Sequence, residues 1–158
     1  MKQVDKLITG MAGEYLVAGQ MSLRGWTANL TYKNYPGVDI IGQHDRLGDN
    51  TIAKIQVKSS EFPSFWVGIK HSQRGYMESI IKGPYVLVYF DRKQTPIEPQ
   101  YFILTKRQMI EVINQSDEAW QAKDREKSLA PDYSIKIYIK RDKLVQFKDK
   151  WEHLFLID

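Results

Sequence analysis

The chain contains no cysteine. That removes disulfide scaffolds, thiolate zinc sites, iron–sulfur clusters and cysteine nucleophiles together, and it fits a reducing, cytoplasmic setting. No run approaches the roughly 20 apolar residues of a membrane span. The opening stretch, Met1 to Gly13, carries Asp5 and lacks the uninterrupted apolar core of a signal peptide. Low-complexity segments and internal repeats are absent, and so is a glycine-rich phosphate loop, which speaks against a nucleotide-driven motor. Charge of one sign is not concentrated. Residues 1–80 hold 9 basic and 7 acidic side chains and residues 81–158 hold 14 and 12, so each half contributes +2 to the net +4. Such a mild excess suits a polyanionic partner without specifying one. The clusters Lys106-Arg107, Lys140-Arg141 with Lys143, and Lys148 with Lys150 read as solvated faces. Ser59, Ser60 and Ser128 have no evident partner base, and His44, His71 and His153 share no metal-ligand spacing.

What is present suffices for one domain. At 158 residues and 42% hydrophobic composition, the chain falls within the usual range of about 100–200 residues per domain. A chain of that size buries roughly 68–70% of its unfolded surface. Val4, Leu7, Ile8, Met11, Tyr15, Ala18 and Met21 recur at steps of three and four, which predicts a helix over 2–23 with that stripe inward. Gly10, Gly13 and Gly19 weaken it and are expected to serve close packing, with Gly25 as a left-handed cap. Strands are expected over 26–32, 38–42 and 51–59, separated by turns at 33–37 and 44–50. Residues 61–75 read as an irregular loop. The apolar run 84–90 predicts a strand buried on both faces, and 101–104 a further strand. Thr105 and Ser116 read as N-caps of two successive helices, the second reaching Lys127. An edge strand over 135–139 and a mostly helical 142–155 complete an α/β or α+β fold with a mixed sheet.

The chemistry-bearing residues lie early. Glu14 is on the first helix and Asp39 stands where the chain leaves a turn for the sheet. Gln56 and Lys58, two apart on one strand, share a face. Pairing that strand with the Asp39 strand brings Asp39 near both. Asp39 offers a carboxylate, Gln56 an amide oxygen and Val57 its carbonyl, the hard oxygen donors that Mg²⁺ takes while keeping several waters. Glu14 can join as a ligand or through a water, and Lys58 stands where a water attacking a phosphodiester needs a cation. Taken singly, each has a plainer reading: Asp39 as a turn residue, Gln56 and Lys58 as a solvated strand face, Glu14 as helix surface.

Gly13-Glu14 on the opening helix, Pro36-Gly37-Val38-Asp39, and then Gln56-Val57-Lys58 resemble the PD-(D/E)XK nuclease superfamily. It includes type II restriction enzymes, archaeal Holliday-junction resolvases and Mrr-like restriction nucleases. The likeness covers about residues 1–90 and leaves 91–158 as remaining sheet and C-terminal helices. It implies a restriction-endonuclease-like core, a mixed central sheet flanked by helices, and a Mg²⁺-dependent endonuclease, with Mn²⁺ as substitute, acting on double-stranded or branched DNA. Asp39 then matches the metal-bridging aspartate, Gln56 the acidic position of the motif, Lys58 its lysine, and Glu14 the helix-borne glutamate of the resolvase-like branches. Gln56 departs from Asp or Glu, as in the Mrr-like enzymes, and removes one negative charge. The alternatives are an inactive nuclease fold that binds DNA or protein, and a small α/β protein whose matches are accidental. Trp66, Lys70 and Arg74, in the expected loop, are candidates for contacts to DNA. A nuclease of this size that cuts both strands is most simply a homodimer.

Overall fold

The computed structural model describes residues 3–32, 35–44, 51–123 and 136–156. Helix α1 (Gln3–Ser22) leads into strands β1 (Thr27–Leu30), β2 (Ile40–His44), β3 (Thr51–Ser60) and β4 (Ser64–Lys70). A 3-10 helix (His71–Tyr76) and the short α2 (Met77–Ile80) follow, then β5 (Tyr85–Tyr89), β6 (Gln100–Leu104), α3 (Lys106–Lys123) and β7 (Lys136–Lys140). Two 3-10 stretches, Arg141–Phe147 and Trp151–Phe155, come last. Among the described residues no helix is long and apolar enough to cross a membrane.

Five strands form one mixed sheet in the order β1-β2-β3-β5-β6. Only β3 and β5 run parallel; the other neighbours are antiparallel. A parallel pair needs a crossover rather than a hairpin, and residues 61–84 provide it. The α+β architecture with a mixed sheet is therefore as expected, and so is the burial of β5, whose first four residues are all enclosed.

Strand alternation sends side chains to two separate cores. On one face Ile40, Ile55, Val57, Val86 and Val88 pack with Val17 and Met21 of α1 and with Trp151 and Leu154. On the other, Tyr85, Leu87, Phe102 and Leu104 pack with Phe65, Val67 and Ile69 of β4, Ile137 and Ile139 of β7, and Met109, Val112 and Ile113 of α3. The sheet is thus the middle of three layers.

Several expectations are corrected. The irregular loop at 61–75 contains β4, which pairs antiparallel with β7 in a two-stranded ribbon outside the main sheet. Phe65, Val67 and Ile69 do alternate with exposed residues, but Pro63 and Gly68 interrupt the run and mask its period. The two helices after Thr105 are one, α3. Apolar spacing continues through Met109, Val112 and Ile113, and Ser116 is a buried interior residue, not a cap. Thr105 is an N-cap as expected. The Gln108 N–H donates to its Oγ1 at 3.3 Å while the Thr105 N–H donates to Gln108 Oε1 at 3.0 Å, a reciprocal capping box. The C-terminal stretch is mostly helical as expected, in two 3-10 segments.

The inward stripe of α1 differs in part: of the expected residues, Met21 is buried and Ala18 packs against the core. Thr9, Gly13, Val17 and Met21 are buried, whereas Leu7, Ile8, Met11 and Tyr15 are exposed. A Cβ at Gly13 would lie 1.7 Å from Ser59 Oγ and 3.6 Å from Val57 Cγ1, so the small-residue stripe brings the helix down onto β3 and the larger apolar stripe faces outward. Gly10 and Gly19 have open space around them and serve no close packing. Gly25 closes the helix at φ 86°. Of the expected turns, 33–34 and 45–50 lie outside the described residues, as do 124–127 of the expected second helix.

Candidate functional site

Asp39 sits in the bend before β2, one step beyond the last pair of the β2–β3 ladder, Ile40 with Ile55. Its N–H donates to the Ile55 carbonyl at 2.8 Å, and its carboxylate Oδ2 accepts the Val57 N–H at 2.7 Å. The Thr31 N–H donates to the Asp39 carbonyl at 2.9 Å. The residue is therefore held at its backbone and at its side chain. The N–H and C=O of one strand residue leave the same edge, so the Val57 carbonyl opens toward Asp39 as well. The Gln56 N–H points the other way, to the Pro84 carbonyl at 3.0 Å. Asp39 and Val57 thus occupy the edge of β3 where β2 has ended.

Glu14 reaches this edge from above. It follows Gly13, whose contact with Ser59 and Val57 fixes the height of α1 over β3. A second tie holds the same helix: Thr9 Oγ1 donates to Glu61 at 2.8 Å, and Arg92 hydrogen-bonds and ion-pairs with the same carboxylate. Arg92, then Thr9, hold the Glu61 carboxyl below its usual range against the opposing effect of burial. Glu14 and Asp39 line one cleft of about 320 Å³, with Lys6, Thr31, Tyr32 and Tyr35 among its walls.

Gln56 and Lys58 are half-buried and rise from the opposite face of β3, in register with Tyr85 and Leu87. The expected four side chains therefore divide: Glu14 and Asp39 share the cleft wall, while Gln56 and Lys58 flank the same strand from the face away from α1. Asp39 links the two groups. The Tyr85 phenol is raised well above its usual pKa, first by burial and then by the negative charge of Asp39, so the Asp39 charge is felt on the Gln56 side of the sheet too.

The oxygen donors at the edge, the Asp39 carboxylate, the Val57 carbonyl and the Glu14 carboxylate, are all hard, and suit a small divalent cation. Among the described residues no cluster of three or more His, Cys, Asp or Glu side chains gathers. These side chains do not by themselves form an all-protein cage.

Of the residues expected at DNA, Trp66 and Lys70 point outward from β4. Arg74 is committed to α3. Its Nε donates to Asn114 Oδ1 at 3.0 Å, and its guanidinium meets Asp117 at 3.3 Å and Glu118 at 2.6 Å. The sequence reading missed Tyr32 and Tyr35, although two tyrosines flanking the turn before Pro36-Gly37-Val38-Asp39 were a usable signal. It also missed Tyr85, hidden within an apolar run, and Tyr138, which faces Trp66 across the ribbon.

In comparisons with known proteins, no family model, no curated protein and no solved structure matches the chain.

Proposed function

We propose that the chain is a Mg²⁺-dependent phosphodiesterase of the restriction-endonuclease-like kind that cuts DNA. The observation that carries the reading is the Asp39 carboxylate held by the Val57 N–H at the open edge of β3, in a cleft it shares with Glu14. The element order supports it: a helix, three antiparallel strands, and a crossover to a strand parallel with the third follow the order that the resemblance implies.

Asp39, the Val57 carbonyl and Glu14 would hold the metal, and the Gln56 amide, on the other face of β3, would join them only from around the open edge. When bound, such an ion supplies Lewis acidity toward a phosphate oxygen and a more acidic water. The protein's own contribution is placement. The Asp39 carboxylate is oriented by the Val57 N–H, and its backbone by hydrogen bonds to Ile55 and Thr31. Lys58, which rises from the other face of β3, would offset charge on the phosphoryl oxygens and orient the water from that side of the open edge. Lys6 adds a cation at the mouth of the cleft. In-line attack would leave a 5′-phosphate and a 3′-hydroxyl.

Gln56 favours a second reading, a nuclease fold without turnover that binds DNA or protein, because a neutral amide at that position lowers the negative charge available to a cation. Thermal unfolding with and without Mg²⁺ or Mn²⁺ tests the site shared by both readings. Metal should raise the melting temperature of the wild type and leave Asp39→Asn unmoved; an equal shift in both would place the metal elsewhere. Metal-dependent cleavage of DNA then separates the nuclease from the binding module.

A further inference from the structure

The ribbon formed by β4 and β7 has one buried face and one exposed face. Phe65, Val67, Ile69, Ile137 and Ile139 fill the core beneath it. Outward, Trp66 pairs with Tyr138 in register, and the two remain 47% and 53% exposed. Lys70 stands two positions beyond Gly68 on one strand, and Lys140, opposite Ser64, ends the other; both are exposed. No outward position of either strand carries an acid. The ladder slips between Trp66 and Lys70, where Gly68 takes φ 78° and leaves open space above it. Two clefts of about 570 and 800 Å³ meet at the Lys140 end, sharing Ser64, Lys140 and Asp142; Lys123, Lys143, Arg141 and Lys148 also line them and outnumber the acids Asp117 and Asp142.

We infer that this outer face binds single-stranded DNA, with bases stacking on Trp66 and Tyr138 and the backbone tracking Lys70, Lys140 and the basic clefts. Two adjacent exposed aromatics between lysines form the stacking platform and electrostatic track that unpaired strands use. A duplex cannot supply a free base face to such a platform, because its bases are already stacked on each other. An apolar protein partner accounts for the aromatic pair but not for the lysines that bracket it. The choice of DNA over RNA rests on the nuclease reading; the stacking surface itself does not, and it lies on different residues from the Asp39 site.

The test is fluorescence anisotropy with labelled dT20 in metal-free buffer, so that binding is read without turnover. Wild type should bind dT20 more tightly than a 20-base-pair duplex. Trp66→Ala and Tyr138→Ala should each weaken dT20 binding about 5- to 100-fold, as loss of one stacked base does. Lys70→Ala and Lys140→Ala should each reduce the slope of log affinity against log salt by about 0.7. Lys70 and Lys140 are exposed and their variants should keep the wild-type melting temperature; Trp66 and Tyr138 are about half exposed and pair across the ribbon, so binding by their variants is compared at equal folded fraction. Asp39→Asn should bind dT20 as wild type does, whatever its effect on cleavage. Undiminished dT20 binding by a Trp66→Ala, Tyr138→Ala double variant would overturn the inference, as would equal affinity for the duplex, tighter binding of rU20, or no binding by any form. A wild-type dimer that the same double variant converts to monomer would also overturn it, by making the ribbon an interface between copies.

Discussion

Asp39 has a structural task, the proposed site gives it a chemical one, and substitution separates them. An asparagine there keeps an acceptor for the Val57 N–H but loses the charge that a cation and Tyr85 both feel. Tyr85 gives that charge a readout in stability. Its folded pKa lies above the usual value near 10, through burial first and Asp39 second, so above about pH 10 the unfolded chain releases a proton that the folded state retains. This contribution is intact below that pH and is lost as pH rises through the alkaline range. Urea unfolding between about pH 8 and 11 should show stability falling above 10 in the wild type and falling less steeply in Tyr85→Phe. Gly13 makes the other prediction at this scale. A methyl group there meets Ser59 Oγ at 1.7 Å and Ser59 Cβ at 2.8 Å, so Gly13→Ala should cost about 1–3 kcal/mol through overpacking. Gly19, exposed with nothing within 4 Å, should instead gain up to about 1 kcal/mol on replacement by alanine. Denaturant unfolding of the two variants, with opposite signs expected, checks both. The nearness of Asp39 to Gln56 was legible because an alternating strand and the strand before it had to pair. The division of the four side chains between two faces was not, because it depends on where α1 crosses the sheet.

The elements show where periodicity misleads. Helix α1 carries two stripes, and the more apolar one was the wrong one to bury: the helix approaches β3 through Gly13, and a stripe led by Leu7, Met11 and Tyr15 cannot come as close. Helix α3 was cut in two at Ser116 because serine is a good cap, yet the core spacing runs on to Asp117, which is 1% exposed and lies against Arg74 and Gln121. That ion pair sets a prediction. Arg74→Ala removes the guanidinium that meets Asp117, Glu118 and Asn114 and should cost about 1–3 kcal/mol, measured by urea unfolding. Its effect on DNA affinity at equal folded fraction should be small. Strand β4 escaped notice because its glycine and the preceding proline look like loop punctuation, while its partner β7 is about seventy residues away and no local signal joins them.

At the scale of the molecule, the layers explain why the proposed site lies at one edge. The β2–β3 ladder stops at Ile40 and Ile55, α1 covers one face, and the crossover from β3 to β5 carries the chain to the other. The edge of β3 beyond residue 55 is left to Asp39 and Val57, with Glu14 above and Gln56 and Lys58 beside it. The order of α1, β1, β2, β3 and β5 was readable from pattern and turns, but β4, within the same ninety residues, was not. The second layer was not, because the ribbon joins segments distant in sequence. The most direct test of the central claim is cleavage of supercoiled plasmid and branched oligonucleotides with Mg²⁺ or Mn²⁺, comparing wild type with Asp39→Asn and Lys58→Ala. The account predicts metal-dependent cutting by the wild type and a loss of at least about 100-fold in each variant, the scale of removing a group that stabilises the transition state. Cutting that persists in both variants would contradict the assigned site, and no cutting by the wild type with either metal would contradict the nuclease reading itself.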